Sequence, residues 1–429
     1  MNLKIKAVHS LKGNIPLPSS KSYSIRAFII AACGGTSKVV NPSDCDDALV
    51  GMHLAKALGA RLSEIKKHTW KVEAFKKILK VDTINVKESG TVLRLLLPLL
   101  SLWGKKSLVV GERTLRERPN RYLVETLRKM GVDIQGTGEK ESVPIKIKGG
   151  KLHGGRIEID GSLSSQFISA LLIACPLLEE DTQLIITGRK IVSIEYIKMT
   201  QQVLKSSGVR IRQGNPRLFL IKGGQQFKGL KNFIVPSDYG LAAFFMAAAA
   251  LIPSDVVLTG SLNDNFIQAD GEICGLLHKM GVRFQKTTRA IRIQGPFKLK
   301  GGNFSLKNCP DLVPIMTVVA LFARGTTRLY DIQHVRSKES DRISDLRTEF
   351  LKIGAKIDET TNALIIHPQK NYEQDVLLDP HHDHRLAMAF SILGLKIGAV
   401  VQDIECTSKS YPKFVCDLKS LNPQAVSHS

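Results

Sequence analysis

No run of eighteen apolar residues occurs in this 429-residue chain, so no membrane-spanning helix is expected. Cysteine is sparse: seven thiols (Cys33, Cys45, Cys175, Cys274, Cys309, Cys406 and Cys416) lie scattered, without a CxxC pair. An odd number outside any framework reads as reduced thiols of a cytoplasmic protein. The first residues, Met1 to Lys6, alternate polar and apolar like a strand, with neither a signal-peptide core nor an Arg/Ser-rich transit character. No GxxxxGK[ST] loop and no GxGxxG after a strand is present, which excludes the usual nucleotide cradles. There is no GxSxG elbow and no Cys–His pairing for nucleophilic catalysis. A zinc knuckle and an aromatic-rich RNA-binding strand are also missing. Acidic residues are few, 39 against 61 Lys and Arg, for a net charge of +22. The basic residues spread over the whole length rather than forming a tail or stripe. That favours a field drawing small anions over a nucleic-acid partner. His381, His382 and His384 crowd beside Arg385 and make a weak ligand set, so neither metal nor cofactor is expected.

What the chain has is repetition. Its 43% hydrophobic and 23% charged residues are ordinary for a globular protein, and its length suits two domains. An amphipathic helix, a Gly followed by Ala or Val, then two strands recur at Leu54–Ala60, Leu123–Val132, Leu204–Val209, Leu277–Val282 and Phe350–Ala355. Each Gly reads as the left-handed residue just past a helix. A second helix type alternates with the first and is apolar nearly all round. Its copies start near Ser19, Glu88, Ser162, Ser237, Pro310 and His382, about 70 to 75 residues apart. Helices of this kind are buried on every side. Six βαβαββ-type α/β units result. The last has a helix but no closing hairpin, and Leu3–Val8 with Gly13–Pro18 supply a hairpin without a helix. Joining the ends gives a discontinuous domain of 1–19 plus 238–429 and a continuous one of 20–237, three units each.

Every apolar helix opens on polar residues. N-capping explains one per start and suffices for Ser237. It does not explain Lys21, Arg26, Arg94, Gln166 or Arg385 near the positive end of a helix dipole. A bound anion there would remove the conflict. Arg113, Arg116 and Arg118, and the run Lys338-Glu339-Ser340-Asp341-Arg342, add residues suited to phosphate and carboxylate. Acids within so basic a set are candidates for proton transfer.

In order along the chain, Pro18-Ser19-Ser20-Lys21-Ser22, Ser89-Gly90-Thr91 with Arg94, Glu117-Arg118-Pro119, Ser164-Ser165-Gln166, Ser193 with Tyr196, Pro310-Asp311, Lys338 to Arg342, Asp383 to Met388, and Lys409 form a set. This set resembles the enolpyruvyl transferase family, and within it the branch acting on shikimate 3-phosphate. The resemblance implies two inside-out α/β barrels of three repeats, crossed twice by the chain, with the active site in the cleft between them. It implies transfer of the enolpyruvyl group of phosphoenolpyruvate to the 5-hydroxyl of 3-phosphoshikimate, without metal or cofactor, by a protein expected to be monomeric. By position, Lys21, Ser22, Arg26, Ser164, Ser165, Gln166, Ser193, Asp311 and Lys338 would hold 3-phosphoshikimate. Lys21, Gly90, Arg118, Gln166, Arg342, Arg385 and Lys409 would hold phosphoenolpyruvate. Asp311 would take the hydroxyl proton and Glu339 would protonate the methylene, with Lys21 or His384 assisting.

The chain departs from the family at Glu88, where many members have Asn, at Leu95, where many have Pro, at His334, where some have Asn, and at Pro236 to Tyr239. Two alternatives stand beside this reading. One is the sister enzyme acting on UDP-N-acetylglucosamine, disfavoured because Gly111–Pro119 has no Cys and Ser22 follows Lys21. The other is a basic RNA-binding repeat protein, which steep salt dependence would reveal.

Overall fold

The computed structural model describes residues 1–75, 82–102 and 104–428. The chain divides into two compact units, Met1–Pro18 with Pro236–Ser429, and Ser19–Val235. Each unit is built from three copies of one motif. In the copy beginning at Thr83–Asn85, the largely apolar, buried helix Gly90–Ser101 follows, then the strand Ser107–Val110, the amphipathic helix Arg121–Lys129, and a hairpin of Val132–Thr137 and Ser142–Gly150. The first two strands are parallel, Ile84 opposite Val109, and the hairpin adds antiparallel to the second. All six four-stranded sheets repeat this order.

Side-chain pattern dictates what lies inside. Tyr239–Leu251 has no charged residue, and all of it is buried. In the strand Gly155–Asp160 only Ile157 and Ile159 turn fully inward, so one sheet face meets solvent. Helices therefore form the centre of each unit and sheets its rind. In the second half of the chain Tyr239–Leu251, Val313–Leu321 and His384–Ile397 pack pairwise against one another. In the other unit Gly90–Ser101 packs on both Lys21–Ala32 and Ser165–Ala174. The five glycines expected past the amphipathic helices, Gly59, Gly131, Gly208, Gly281 and Gly354, all take positive φ. Among the described residues no helix is long and apolar enough to cross a membrane.

The chain ends correct one expectation. Leu3–Ile5 and Leu11–Pro16 do not pair with each other. Leu3–Ile5 lies between Ala399–Val401 and Val426–His428, antiparallel to both, so the sixth motif is closed by one strand from each end of the chain. Leu11–Pro16 instead runs parallel to Ser254–Thr259 and is the first strand of the fourth motif. The first motif receives its own first strand from Phe233–Ile234, parallel to Val39 and Val40. Two strands are thus exchanged where the chain passes from one unit to the other.

Parallel pairing also decides where chemistry can gather. The carboxyl ends of both parallel strands fall on one edge of each sheet, and the loops leaving them start the two helices. The hairpin turns fold back on the same edge. Arg217, in one such turn, donates to the Ile186 and Gly188 carbonyls. Asn362, in another, accepts from the Gln333 backbone.

Candidate active site

In the unit Ser19–Val235, the edge loops bring together most of the polar residues singled out by their positions. Lys21 opens the helix Lys21–Ala32 and its Nζ lies 3.1 Å from Asp47 Oδ2, both side chains nearly buried. Asp47 sits in the first turn of Asp46–Ala57. The loop before it is tied to the Lys21 turn, for the Ser43 amide donates to Ser24 Oγ, which itself donates to the Ser20 carbonyl. Arg26 is buried. Its Nε donates to Thr200 Oγ1 at 2.8 Å and its Nη1 to the Ser22 carbonyl at 3.0 Å, and burial lowers its pKa to about 10. Ser164 caps Ser165–Ala174 by accepting from the Gln166 amide. Ser193 starts the next helix in a left-handed conformation, φ +53°, a strained geometry of the kind that collects at functional turns.

Gly90 begins the helix Gly90–Ser101, and the guanidinium of buried Arg118 lies directly over it. A Cβ on Gly90 would fall 2.7 Å from Arg118 Nη1. Glu88, the unusual carboxylate at this start, has Arg113 Nη1 3.5 Å away, so a cation partly offsets its charge. Arg116 turns back to the Gly111 carbonyl.

In the unit that includes residues 236–429, Arg342 is the centre. Its Nε donates to Asp383 Oδ2 at 2.7 Å, its Nη1 to Asp311 Oδ1 at 2.9 Å and its Nη2 to Glu339 Oε2 at 3.1 Å. Arg385 Nη2 holds the other oxygen of Asp311 at 3.1 Å, while its Nη1 donates to the Gly240 carbonyl. Lys409 Nζ is 3.7 Å from Glu339 Oε1. Burial alone would raise the Asp311 carboxyl, but Arg385, Arg342 and Lys338 outweigh it and hold the group well below the usual carboxylate range. Arg342 is also buried, yet Asp383, Asp311 and Glu339 raise its pKa further.

The three neighbouring histidines separate. His381 Nε2 faces Glu349 at 3.4 Å, His382 Nδ1 pairs with Asp403, and His384 is buried with Nδ1 3.9 Å from Asp383. His334 is buried in the turn Gln333–Ser337, and Leu95 is wholly buried in its helix. Asp238 caps Tyr239–Leu251, as capping alone would have it.

Sequence reasoning passed over Asp47, Asp383 and Asp270 as site residues. Each partners a basic residue or lies beside one. A Cβ on Gly240 would sit 2.5 Å from Asp270 Oδ2 and 2.8 Å from Arg385 Nη1, so both crowd one backbone position. Acids in a first helical turn satisfy the dipole and look ordinary, which is why they carried no signal.

Known proteins resemble this chain along nearly its whole length. Residues 5–418 match the model of the family described as EPSP synthase (3-phosphoshikimate 1-carboxyvinyltransferase). The chain belongs to the EPSP synthase family. A 3-phosphoshikimate 1-carboxyvinyltransferase of Methanocaldococcus jannaschii is 34% identical over 98% of both chains. One from Photobacterium profundum is 34% identical over 99% of this chain and 100% of its own. The solved EPSP synthase of Acinetobacter baumannii superposes with a TM-score of 0.78 at 26% identity, each chain covered fully. The enolpyruvyl transferase NikO of Streptomyces tendae has a TM-score of 0.77 at 17% identity and shares the fold. The inside-out fold of six motifs is therefore the enolpyruvyl transferase fold.

Proposed function

We propose that this member of the EPSP synthase family transfers the 1-carboxyvinyl group of phosphoenolpyruvate to the 5-hydroxyl of 3-phosphoshikimate and releases phosphate. The observation that carries this reading is Arg342 bonded at once to Asp311, Glu339 and Asp383. Two carboxyl groups at the mouth of a buried cationic cluster can divide one proton removal and one proton delivery between them. Asp311 takes the proton of the 5-hydroxyl as its oxygen bonds to C2 of phosphoenolpyruvate. Glu339 gives a proton to the methylene, which becomes a methyl group. Loss of one methyl proton and cleavage of the C2–O bond to phosphate then restore the vinyl group.

The cations serve the substrates' phosphates and carboxylates. Lys21, Gly90, Arg118, Gln166, Arg342, Arg385 and Lys409 act on phosphoenolpyruvate. Lys21, Ser22, Arg26, Ser164, Ser165, Gln166, Ser193, Asp311 and Lys338 act on 3-phosphoshikimate. Substrate anions compete with Asp311 and Glu339 for the same cations. As Arg342, Arg385 and Lys409 turn to the substrate, both carboxyls lose counter-charge and their affinity for protons rises. That makes Asp311 a stronger base only when substrate is present. The chain is read as a cytoplasmic monomer.

The direct test is phosphate release from the purified protein given both substrates, in a chelated buffer. Turnover with 3-phosphoshikimate is expected. Release only when UDP-N-acetylglucosamine is supplied would move the chain to the sister activity, and release with neither acceptor would end the proposal. Gly90→Ala gives a second check. The added methyl must push Arg118 aside, so KM for phosphoenolpyruvate should rise on the order of tenfold with kcat largely kept. An unchanged KM in steady-state assays would remove Arg118 from that role.

A further inference from the structure

We infer that Arg94 is a positioning residue that fixes which end of the Gln166 amide is offered to the substrates; the inference rests on the reaction proposed above. Arg94 lies in the second turn of Gly90–Ser101 and is buried. Its Nη1 donates to Gln166 Oε1 at 2.6 Å, its Nε to Asn120 Oδ1 at 3.1 Å and its Nη2 to the Pro119 carbonyl at 3.0 Å. Its plane also lies over the Phe167 ring, 5.1 Å from the centroid. Gln166 Nε2 in turn donates to Thr91 Oγ1 at 2.9 Å.

Chemistry alone assigns the amide. A guanidinium has donors and no acceptor, so the atom against Nη1 must be the oxygen. The nitrogen then points the other way, towards Thr91 and the first turn of its helix. A glutamine free to rotate could present an oxygen to an anion and repel it. Held by Arg94, it turns its NH2 group that way: one N–H donates to Thr91 Oγ1, and the second is of the kind a phosphate or carboxylate accepts. The same guanidinium binds the Pro119 carbonyl and the Asn120 side chain, and Asn120 Nδ2 donates to the Arg118 carbonyl. Arg94 thereby orients the Gln166 amide without touching substrate itself.

The experiment is a double-mutant cycle on the full chain: wild type, Arg94→Met, Gln166→Ala and the pair, with Arg94→Lys beside them. KM for phosphoenolpyruvate, kcat and the thermal midpoint are read for each. Arg94→Met should raise KM on the order of 10- to 100-fold while kcat stays within about threefold, the pattern of lost uniform binding. Arg94→Lys, whose ammonium can also only donate, should recover most of that loss. In the Gln166→Ala background Arg94→Met should change KM little further. Equal factors with and without Gln166 would overturn the inference, as would Arg94→Lys matching Arg94→Met in KM at a wild-type midpoint. If the wild type itself shows no turnover, the reaction is refuted. The same comparison made by calorimetric binding of phosphoenolpyruvate then decides the amide question separately.

Discussion

Asp311→Asn should lower kcat by about two to four orders of magnitude, the range a general base supplies. The substitution keeps the shape and removes the charge. KM for phosphoenolpyruvate should stay level or fall, because Arg342 and Arg385 lose the anion that now occupies both. A fall in kcat without any rise in KM separates a base from a residue that binds phosphoenolpyruvate. Steady-state kinetics with each substrate varied would show it, and a variant that kept wild-type turnover would remove Asp311 from the chemistry. Glu339→Gln should also depress kcat, through the proton-delivery step.

The pH behaviour follows from the sign of the Asp311 shift. Its folded pKa is held below the ordinary value of about 3.9. Its contribution to stability is therefore complete above that value and fades only as pH falls through the lower, folded one. The stability deficit of Asp311→Asn should be constant around neutral pH and should shrink only in strong acid. Thermal melts across a pH series would check this. A deficit that disappeared between about pH 5 and 7 would mean the carboxyl titrates above the ordinary range.

The fold was legible because its information is local. Helices such as Tyr239–Leu251, apolar on every face, can exist only inside something. The Gly past each amphipathic helix marks the same turn five times. The strand exchange was not legible for the same reason. Leu11–Pro16 has the pattern of any first strand, and nothing in six residues says that its partner is Ser254–Thr259. The choice is made in the connections around Pro18 and Val235, which look alike whichever sheet receives the strand.

The site divides along a similar line. Lys21, Arg94, Gln166 and Arg385 stood out because a cation or a long amide at a helix start contradicts local preference. Asp47, in a first turn, and Asp383, at a cap, agree with that preference and were given no role. Asp383 does cap its helix, accepting from the Arg385 amide at 2.8 Å, but it also grips Arg342. A residue doing two jobs shows only the local one in sequence. Glu88 was visible as an oddity, and its relation to Arg113 came only with the loop in place.

Arg342→Met should be the most destabilising change at the site. Asp383 has no solvent exposure, and Arg342 is 1% exposed. Removing the guanidinium leaves a buried carboxylate held by the Arg385 backbone amide and the Ser340 hydroxyl, with no cation bonded to it among the described residues. Breaking a buried pair from one side costs about 3–5 kcal/mol. For a domain of this size that is a fall of roughly 10 °C in Tm, read by circular dichroism. Arg342→Lys should recover part of the stability but little turnover, since one ammonium cannot span Asp383, Asp311 and Glu339 as the fork does. The double variant Arg342→Met/Asp383→Leu decides between structure and chemistry. With both charges gone no buried ion is stranded, so stability should return towards wild type. Turnover should remain lost, because Asp311 and Glu339 no longer share a cation that substrate anions can draw away. Restored activity in the double variant would show Arg342 to be a structural tie, and the proton-transfer roles would then need another source of control.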